Sequence, residues 1–298
     1  MAKTYAFFDI ESMNSGRQYG VTPREFFRLG QVAINNGPVQ LVEDYDEFMS
    51  ILESADFLVG HNIHNFDLSV LYGVDSLRPL ELALERRIID TFCLAALLNP
   101  APYQYTNKNG QQVFDAAKPE RALKWFSLDE QAHQLDLPGK LGNLKDLAKK
   151  YQPEGTKVAD YDYSLIPTSD PEFREYAEGD VIAVRALFFK LMEMQKEQQI
   201  DSDYLWREQV VYALCAQITR NGVTVDREEA QRRVDELAAE REEVMKWLVE
   251  EYGFPNSGKS PWATTAGKEI IFKVLEDFGI TEKTHPGWER TATGNLSL

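Results

Sequence analysis

Residues 5–11, with the sequence YAFFDIE, decide the fold class of this 298-residue chain. The run is apolar and aromatic up to two acids, which is typical of a central strand of a sheet. Alternate residues of a strand point to the same face, so Asp9 and Glu11 can converge on one metal ion. Divalent cations between them would relieve the repulsion of their like charges. The alternative is a pair of solvent-facing acids at the end of a strand.

Strands and helices alternate along the chain after this first strand. The further predicted strands lie at 29–34, 39–42, 57–59 and 88–89, and the predicted helices at 44–54, 91–98, 127–135, 143–151 and 171–198. A turn at Asn35-Asn36-Gly37 makes the first two of these strands a hairpin, and Asp90 is placed to cap the helix that begins at Thr91. Strands paired first by a hairpin and then alternating with helices predict an α/β fold with a mixed sheet.

A second acidic segment, GHNIHNFD at residues 60–67, follows the strand predicted at 57–59. Its last residue, Asp67, can serve as a metal ligand or as the cap of a helix. Asn62 and the two histidines can be hydrogen-bonding residues of the loop or zinc ligands. Zinc is disfavoured because the chain has only four histidines and no further Cys or His lies at ligand spacing.

A third segment, YAEGD at residues 176–180, lies within the long predicted helix. Tyr176 and Asp180 are four residues apart and therefore share one face. Gly179 costs a helix interior about 1 kcal/mol relative to Ala, and close approach of a substrate or of another backbone would account for it. The alternative is an ordinary amphipathic helix with a Tyr at its boundary.

Composition limits the classes of protein to which the chain can belong. The net charge of −16 opposes stand-alone, high-affinity binding to DNA, because phosphate contacts are normally made by basic patches. No apolar run is long enough to cross a membrane. The two cysteines, Cys93 and Cys215, lie in apolar segments and are predicted to be buried free thiols, which favours a reducing, cytoplasmic compartment.

The chain is predicted to contain two domains, at 1–200 and 201–298, the second of them helical. Residues 99–120 are polar and rich in proline, and are predicted to form a long exposed loop. In the second domain, Asp226 and Glu229 have the spacing of a capping box before a helix that Gly253 ends.

The three acidic segments together resemble the three exonuclease motifs of the DEDD superfamily. These motifs are D-x-E on a first strand, N-x₂₋₃-(F/Y)-D some tens of residues later, and Y-x₃-D on a late helix. Tyr176, four residues before Asp180, is similar to the tyrosine subtype; the histidine subtype would have a His at the position of Glu175. The resemblance implies an RNase H-like sheet flanked by helices and a 3′→5′ exonuclease activity.

Further segments resemble family A DNA polymerases, and the resemblance covers nearly the whole chain. They are Arg87–Thr91, Ser127-Leu128, Asn221–Asp226, and a run from Ser260-Pro261 through Phe272, Leu275 and Gly279 to Thr291–Gly294. The resemblance implies a proofreading exonuclease domain at 1–200, followed by a helical, thumb-like segment.

The chain departs from the family in three respects. The D-x-E motif at residue 9 leaves no room for an upstream 5′-nuclease domain, which favours a phage-type polymerase. The sequence to Leu298 contains none of the family's polymerase signatures, so these residues are expected to have exonuclease but no polymerase activity, with a polymerase in cis or in trans. Ser15 stands where relatives place an apolar wedge, and this leaves open how the terminal bases are separated.

The resemblance also implies the roles of individual residues. Asp9, Glu11, Asp67 and Asp180 would hold two Mg²⁺ or Mn²⁺ ions, with Asp9 shared between both, and Tyr176 would hydrogen-bond the attacking water. Four carboxylates without thiols suit these hard cations better than zinc.

The expected partner is the single-stranded or frayed 3′ end of DNA, bound by a monomer. The candidate strand-binding residues are Ser12, Asn62, Phe66, Arg121 and Lys124. Arg121 and Lys124 belong, with Lys118, Trp125 and Phe126, to a basic and aromatic cluster whose alternative is a solvated surface. Two other functions stay open: a catalytically inactive docking module for a replication partner, and a free-standing exonuclease that degrades RNA.

Overall fold

The computed structural model describes residues 3–13, 20–139, 141–255 and 260–289. The chain divides into two compact units, Met1–Gly222 and Val223–Leu298. Ser15 and the segment 291–294, both considered above, lie outside the described residues. No helix in the described ranges is long and apolar enough to cross a membrane.

The first unit is built on a mixed five-stranded sheet. Its strands are β1 Tyr5–Ser12, β2 Phe27–Ile34, β3 Gln40–Val42, β4 Phe57–Gly60 and β5 Ile88–Asp90. They are ordered β3-β2-β1-β4-β5, and β1 is antiparallel to β2 but parallel to β4. The predicted α/β class, the central position of the first strand and the hairpin are confirmed.

Helices cover both faces of this sheet. They are α1 Pro23–Phe26, α2 Tyr45–Ser54, α3 Asp67–Tyr72, α4 Arg78–Leu84, α5 Thr91–Leu98, α6 Pro119–Trp125, α7 Leu128–Gln134, α8 Leu144–Lys149, α9 Pro171–Glu197 and α10 Ser202–Asn221. Two short 3₁₀ helices, Val158–Asp160 and Tyr163–Leu165, precede α9.

The alternation of β1 determines which side chains meet which helices. Ala6, Phe8 and Ile10 point to one core, shared with α2 and α3. Phe7 points to the other, where it packs with buried residues of α5 and α9. Asp9 has the same parity as Phe7, so period-2 geometry directs its side chain, and that of Glu11, to the side covered by α9.

The predicted helix starts are confirmed at two positions. Asp90 caps α5 by accepting a hydrogen bond from the backbone nitrogen of Phe92 at 2.9 Å. Asp170 caps α9, accepting from two backbone nitrogens, and Pro171 occupies the first turn, where it has no N–H to leave unsatisfied.

The prediction of a long loop over 99–120 was wrong, although most of the segment is exposed as predicted. Gln104–Thr106 and Gln112–Phe114, here β6 and β7, form an antiparallel hairpin, and α6 begins at Pro119. The polar composition concealed the alternation of each short strand. Tyr105 is buried edge-to-face against Trp125 at 4.8 Å between ring centroids, and this contact anchors the hairpin.

The boundary between the two compact units falls after α10, at Gly222, whereas the predicted domain boundary lies near residue 200. Helix α10 belongs to the first unit because it packs on α4, α5 and β5. Cys93 is buried as predicted, but the prediction that Cys215 is buried was wrong: it is exposed on α10.

The second unit is helical in its described part. It contains α11 Arg227–Tyr252, a 3₁₀ helix at Pro261–Ala263 and α12 Thr265–Asp277. Asp226 caps α11 by accepting from the backbone nitrogen of Glu229 at 3.0 Å, and Gly253 ends the helix in the left-handed conformation. Phe254, just after this helix, is buried.

Candidate metal centre

Three carboxylates from two distant parts of the chain meet above the sheet. Asp9 and Glu11 come from β1, and Asp180 from α9, which packs across this face. One ligand oxygen from each lies within 4.8 Å of the others. Asp180 is 3% exposed and the other two are half-buried. The described residues thus contain an acidic cluster that could hold a metal ion.

Asp67 is the first residue of α3 and is not one of the three acids whose ligand oxygens lie within 4.8 Å of one another, but the charge of Asp9 acts on it. Its side chain is 5% exposed, and burial, followed by the charge of Asp9, raises the pKa of its carboxyl group well above the ordinary value. A backbone hydrogen bond from Ile10 of β1 opposes that rise. Asp67 is not the cap of α3, since Phe66 occupies the N-cap position. The helix-cap alternative is therefore wrong.

Two side chains of β2 act on the acids of β1, and sequence inspection missed both. The Gln31 amide donates a hydrogen bond from Nε2 to Oδ2 of Asp9 at 2.8 Å. The charge of Glu11 acts on the half-buried guanidinium of Arg28, although burial is the larger effect and lowers the pKa of Arg28. Arg28 also donates to the carbonyl oxygens of Tyr163 and Ile166. Neither residue belongs to a sequence motif. The only signal for them is that β2 pairs with the part of β1 that carries the D-x-E segment.

Gly179 is explained by the approach of another backbone. A Cβ atom there would lie 2.9 Å from the backbone nitrogen of Leu141 and 3.0 Å from its Cβ. Of the two explanations considered from sequence, the structure therefore supplies the second. Tyr176, one turn before Asp180 on α9, is half-buried.

The loop from His61 to Phe66 is held by a buried carboxylate. Asp90 accepts hydrogen bonds from the backbone nitrogens of Asn62 at 2.7 Å and of His64 at 3.1 Å. Its pKa is raised to about 6 by complete burial, a shift that these N–H donors oppose. His61 lies 2.9 Å from the hydroxyl of Thr91 and 2.9 Å from the carbonyl of Phe126, as expected for a structural residue of the loop.

Helix α10 completes this support from outside the sheet. Gln209 accepts a bond from the backbone nitrogen of Asp90 at 2.9 Å and donates one to its carbonyl at 3.1 Å. Tyr212 bonds the side chains of Asn62 and Asn65, and Arg220 donates to the carbonyl of His64 at 2.8 Å. These residues follow Asp90 by more than a hundred positions, and the sequence gives no local signal of their role.

The candidate strand-binding residues have different surroundings. Phe66 is half-buried, with its ring against the core shared by α2 and α3. Ser12 is half-buried beside a β-bulge and donates to the carbonyl of Met13 at 2.9 Å. Asn62 has a left-handed backbone, with φ of 61°.

The basic and aromatic cluster is largely engaged with its own surroundings. Arg121 donates to the carbonyl of Phe114, and Lys118 bonds Asp115 at 2.9 Å. Trp125 is buried, and its Nε1 donates to the carbonyl of Asn99 at 2.8 Å, so its ring is not available to stack on a strand. Lys124 is exposed on the last turn of α6.

The chemistry of the donor set suits hard divalent cations. Asp9, Glu11 and Asp180 offer carboxylate oxygens alone, which Mg²⁺ and Mn²⁺ prefer, whereas zinc is usually held by nitrogen and sulfur. Without a cation, several acids close together would repel one another. In Asp67, burial and then the charge of Asp9 raise the pKa of the carboxyl group. The residues present therefore fit a divalent ion.

Compared with known proteins, the chain matches no protein-family model, and a search of curated proteins finds no significant match. The resemblance to family A polymerases therefore stays a prediction.

Proposed function

We propose that this protein is a metal-dependent 3′→5′ exonuclease that removes nucleotides from the 3′ end of DNA. The observation that carries the proposal is the meeting of Asp9, Glu11 and Asp180, with ligand oxygens within 4.8 Å of one another, although Asp180 lies 169 positions after Glu11 (180 − 11). Each of the three is an acid of the sequence motifs that resemble those of the DEDD exonucleases. We also propose that the sheet is RNase H-like, which its mixed strand arrangement supports.

The four carboxylates would hold two ions. We propose that Asp9 serves both, since it belongs to the cluster with Glu11 and Asp180 and its charge also acts on the carboxyl group of Asp67. When bound, two divalent ions activate a water, neutralise the transition-state charge and stabilise the departing 3′-oxygen. Tyr176 would accept or donate a hydrogen bond at its hydroxyl to orient that water, as the resemblance implies. Glu11 would also contact the terminal 3′-hydroxyl.

The resemblance of the second unit's sequence to the thumb of family A DNA polymerases supports a role in proofreading for such a polymerase, of the phage type. The acidic composition fits this role, because a site that admits only a strand end needs little phosphate binding of its own. We propose that Asn62 and exposed parts of Phe66 line the strand path and that a polymerase, in cis or in trans, delivers the strand.

The test is digestion of a 5′-labelled DNA oligonucleotide by the purified chain with MgCl₂ or MnCl₂. Stepwise shortening from the 3′ end is expected, with complete loss in Asp9→Ala and Asp180→Ala and retention of the folded state by circular dichroism. Tyr176→Phe is expected to slow turnover with little change in metal binding. Equal digestion by the wild type and both Asp variants would refute the assignment.

Two controls separate the other functions. An RNA oligonucleotide of the same sequence should be degraded more slowly than DNA; a preference for RNA would favour the RNA-degrading exonuclease. A wild type that binds Mn²⁺ and cleaves neither substrate would favour an inactive docking module.

A further inference from the structure

We propose that Gln31 is a positioning residue for Asp9, and that its uncharged amide sets the metal affinity of the centre. The proposal rests on the proposed function, since it assumes that Asp9 is a metal ligand. The side-chain nitrogen of Gln31 lies 2.8 Å from Oδ2 of Asp9, and the two residues are direct partners across the β1–β2 ladder.

The position of Gln31 would favour an apolar side chain. Gln31 is 0% exposed, and its neighbours of the same parity on β2, Leu29 and Ala33, are buried apolar residues. Its Oε1 is buried and has no hydrogen-bond partner among the described residues. Burial of a polar atom without a partner is unfavourable. The hydrogen bond to Asp9 is therefore what the amide of Gln31 provides and an apolar side chain of the same size would not.

An amide is the donor that the chemistry of this position requires. Lysine or arginine would also bond Asp9, but its positive charge would repel a divalent cation held by the same carboxylate. A hydroxyl on a shorter side chain would not span the same distance. Glutamine supplies an N–H donor without a charge, and the bond fixes the rotation of the Asp9 carboxylate about its last side-chain torsion.

Residues that orient metal ligands in this way commonly change metal affinity or activity about tenfold to a hundredfold when they are replaced. Gln31→Met keeps the length and removes the donor. Gln131 offers a matched control: it is also 0% exposed, and its amide donates to the carbonyl of Trp125 at 2.9 Å in another part of the unit. Gln131→Met removes a buried amide without touching Asp9.

The experiment measures Mn²⁺ binding by titration calorimetry on the full chain without DNA, followed by the Mn²⁺ dependence of cleavage. Gln31→Met, and Gln31→Leu as a second apolar variant, should bind Mn²⁺ at least about tenfold more weakly than the wild type. Excess Mn²⁺ should restore kcat, and KM for DNA should stay unchanged. Gln131→Met should bind Mn²⁺ like the wild type.

The outcomes distinguish the inference from the function on which it rests. Equal Mn²⁺ affinity in the wild type and the folded Gln31 variants would overturn the role of Gln31 alone. Equal weakening in Gln131→Met would also overturn it, because the effect would then be a general loss of packing. A wild type that binds no Mn²⁺, or binds it unchanged after Asp9→Asn, would overturn the metal centre as well.

Discussion

The hydroxyl of Tyr212 lies 2.8 Å from Oδ1 of Asn62, a residue 150 positions earlier in the chain. The same hydroxyl lies 2.6 Å from Nδ2 of Asn65. Asn62 has a left-handed backbone, which a non-glycine residue adopts at a cost that its surroundings must offset. Helix α10 therefore helps to hold the loop that leads to Asp67, although it contributes none of the four acids.

Removing this hydroxyl should affect substrate binding more than turnover. In Tyr212→Phe, the Asn62 side chain loses a bond worth about 1 kcal/mol. We therefore expect KM for a DNA oligonucleotide to rise roughly fivefold, with little change in kcat. Steady-state cleavage at fixed MgCl₂ measures both constants. Tyr45→Phe is the control, since it loses a bond to the carbonyl of Leu71 instead. A raised KM in both variants would contradict a specific role for Tyr212.

Replacing Asp67 by an uncharged residue should stabilise the metal-free protein and reduce the stabilisation that bound metal provides. The folded state raises the pKa of this acid, so its ionisation at neutral pH opposes folding. Because burial and the charge of Asp9 raise this pKa, we expect Asp67→Asn in EDTA at pH 7.5 to have a higher free energy of unfolding than the wild type. MgCl₂ should raise the Tm of the wild type more than that of the variant. Lower stability of the variant in EDTA would contradict this account.

Replacing Gly179 by alanine should destabilise the protein, although alanine has a higher helix propensity than glycine. Alanine would contribute about 1 kcal/mol to the helix, but overpacking against the Leu141 backbone costs about 1–3 kcal/mol. We expect Gly179→Ala to lower the free energy of unfolding in urea and to reduce cleavage, because the displaced turn carries Asp180. Glu178→Ala, at an exposed neighbouring position, should leave both unchanged. A Gly179→Ala protein as stable as the wild type would contradict this prediction and show that the segment at Leu141 can move to make room for a methyl group.

His64 should make the protein less stable in acid. Its ring is 1% exposed, and burial, with a smaller effect of Arg220, lowers its pKa to about 3. Below its ordinary pKa near 6.5, the unfolded chain binds a proton that the folded chain does not, so stability falls as the pH is lowered towards 3.

We expect the wild type to lose about 1.4 kcal/mol per pH unit relative to His64→Phe between pH 6 and pH 4.5. Urea unfolding at several pH values in EDTA measures the free energy of unfolding of both proteins. Subtracting one from the other removes the contribution of the titrating groups that they share. Parallel pH profiles of the two proteins would show that His64 takes up its proton in the folded state.

The sequence by itself determined the local structure of this protein and the positions of the acids. Strand β1, the hairpin that follows it, and the caps Asp90 and Asp170 were predictable, because alternation, turn residues and N-caps depend on neighbours within a few positions. The parity of β1 also implied that Asp9 and Glu11 share a face.

Only the tertiary structure decided which side chains surround those acids. The contacts of Gln31 with Asp9, of Leu141 with Gly179 and of Tyr212 with Asn62 join residues of different elements, and no periodicity within one segment specifies them. The hairpin over 104–114 was hidden for a similar reason, since the burial of Tyr105 against Trp125 outweighs a polar composition. These contacts depend on the packing of the whole unit, because burial stabilises the unit as a whole. Helix and strand propensities act within each segment alone and do not specify partners in other elements.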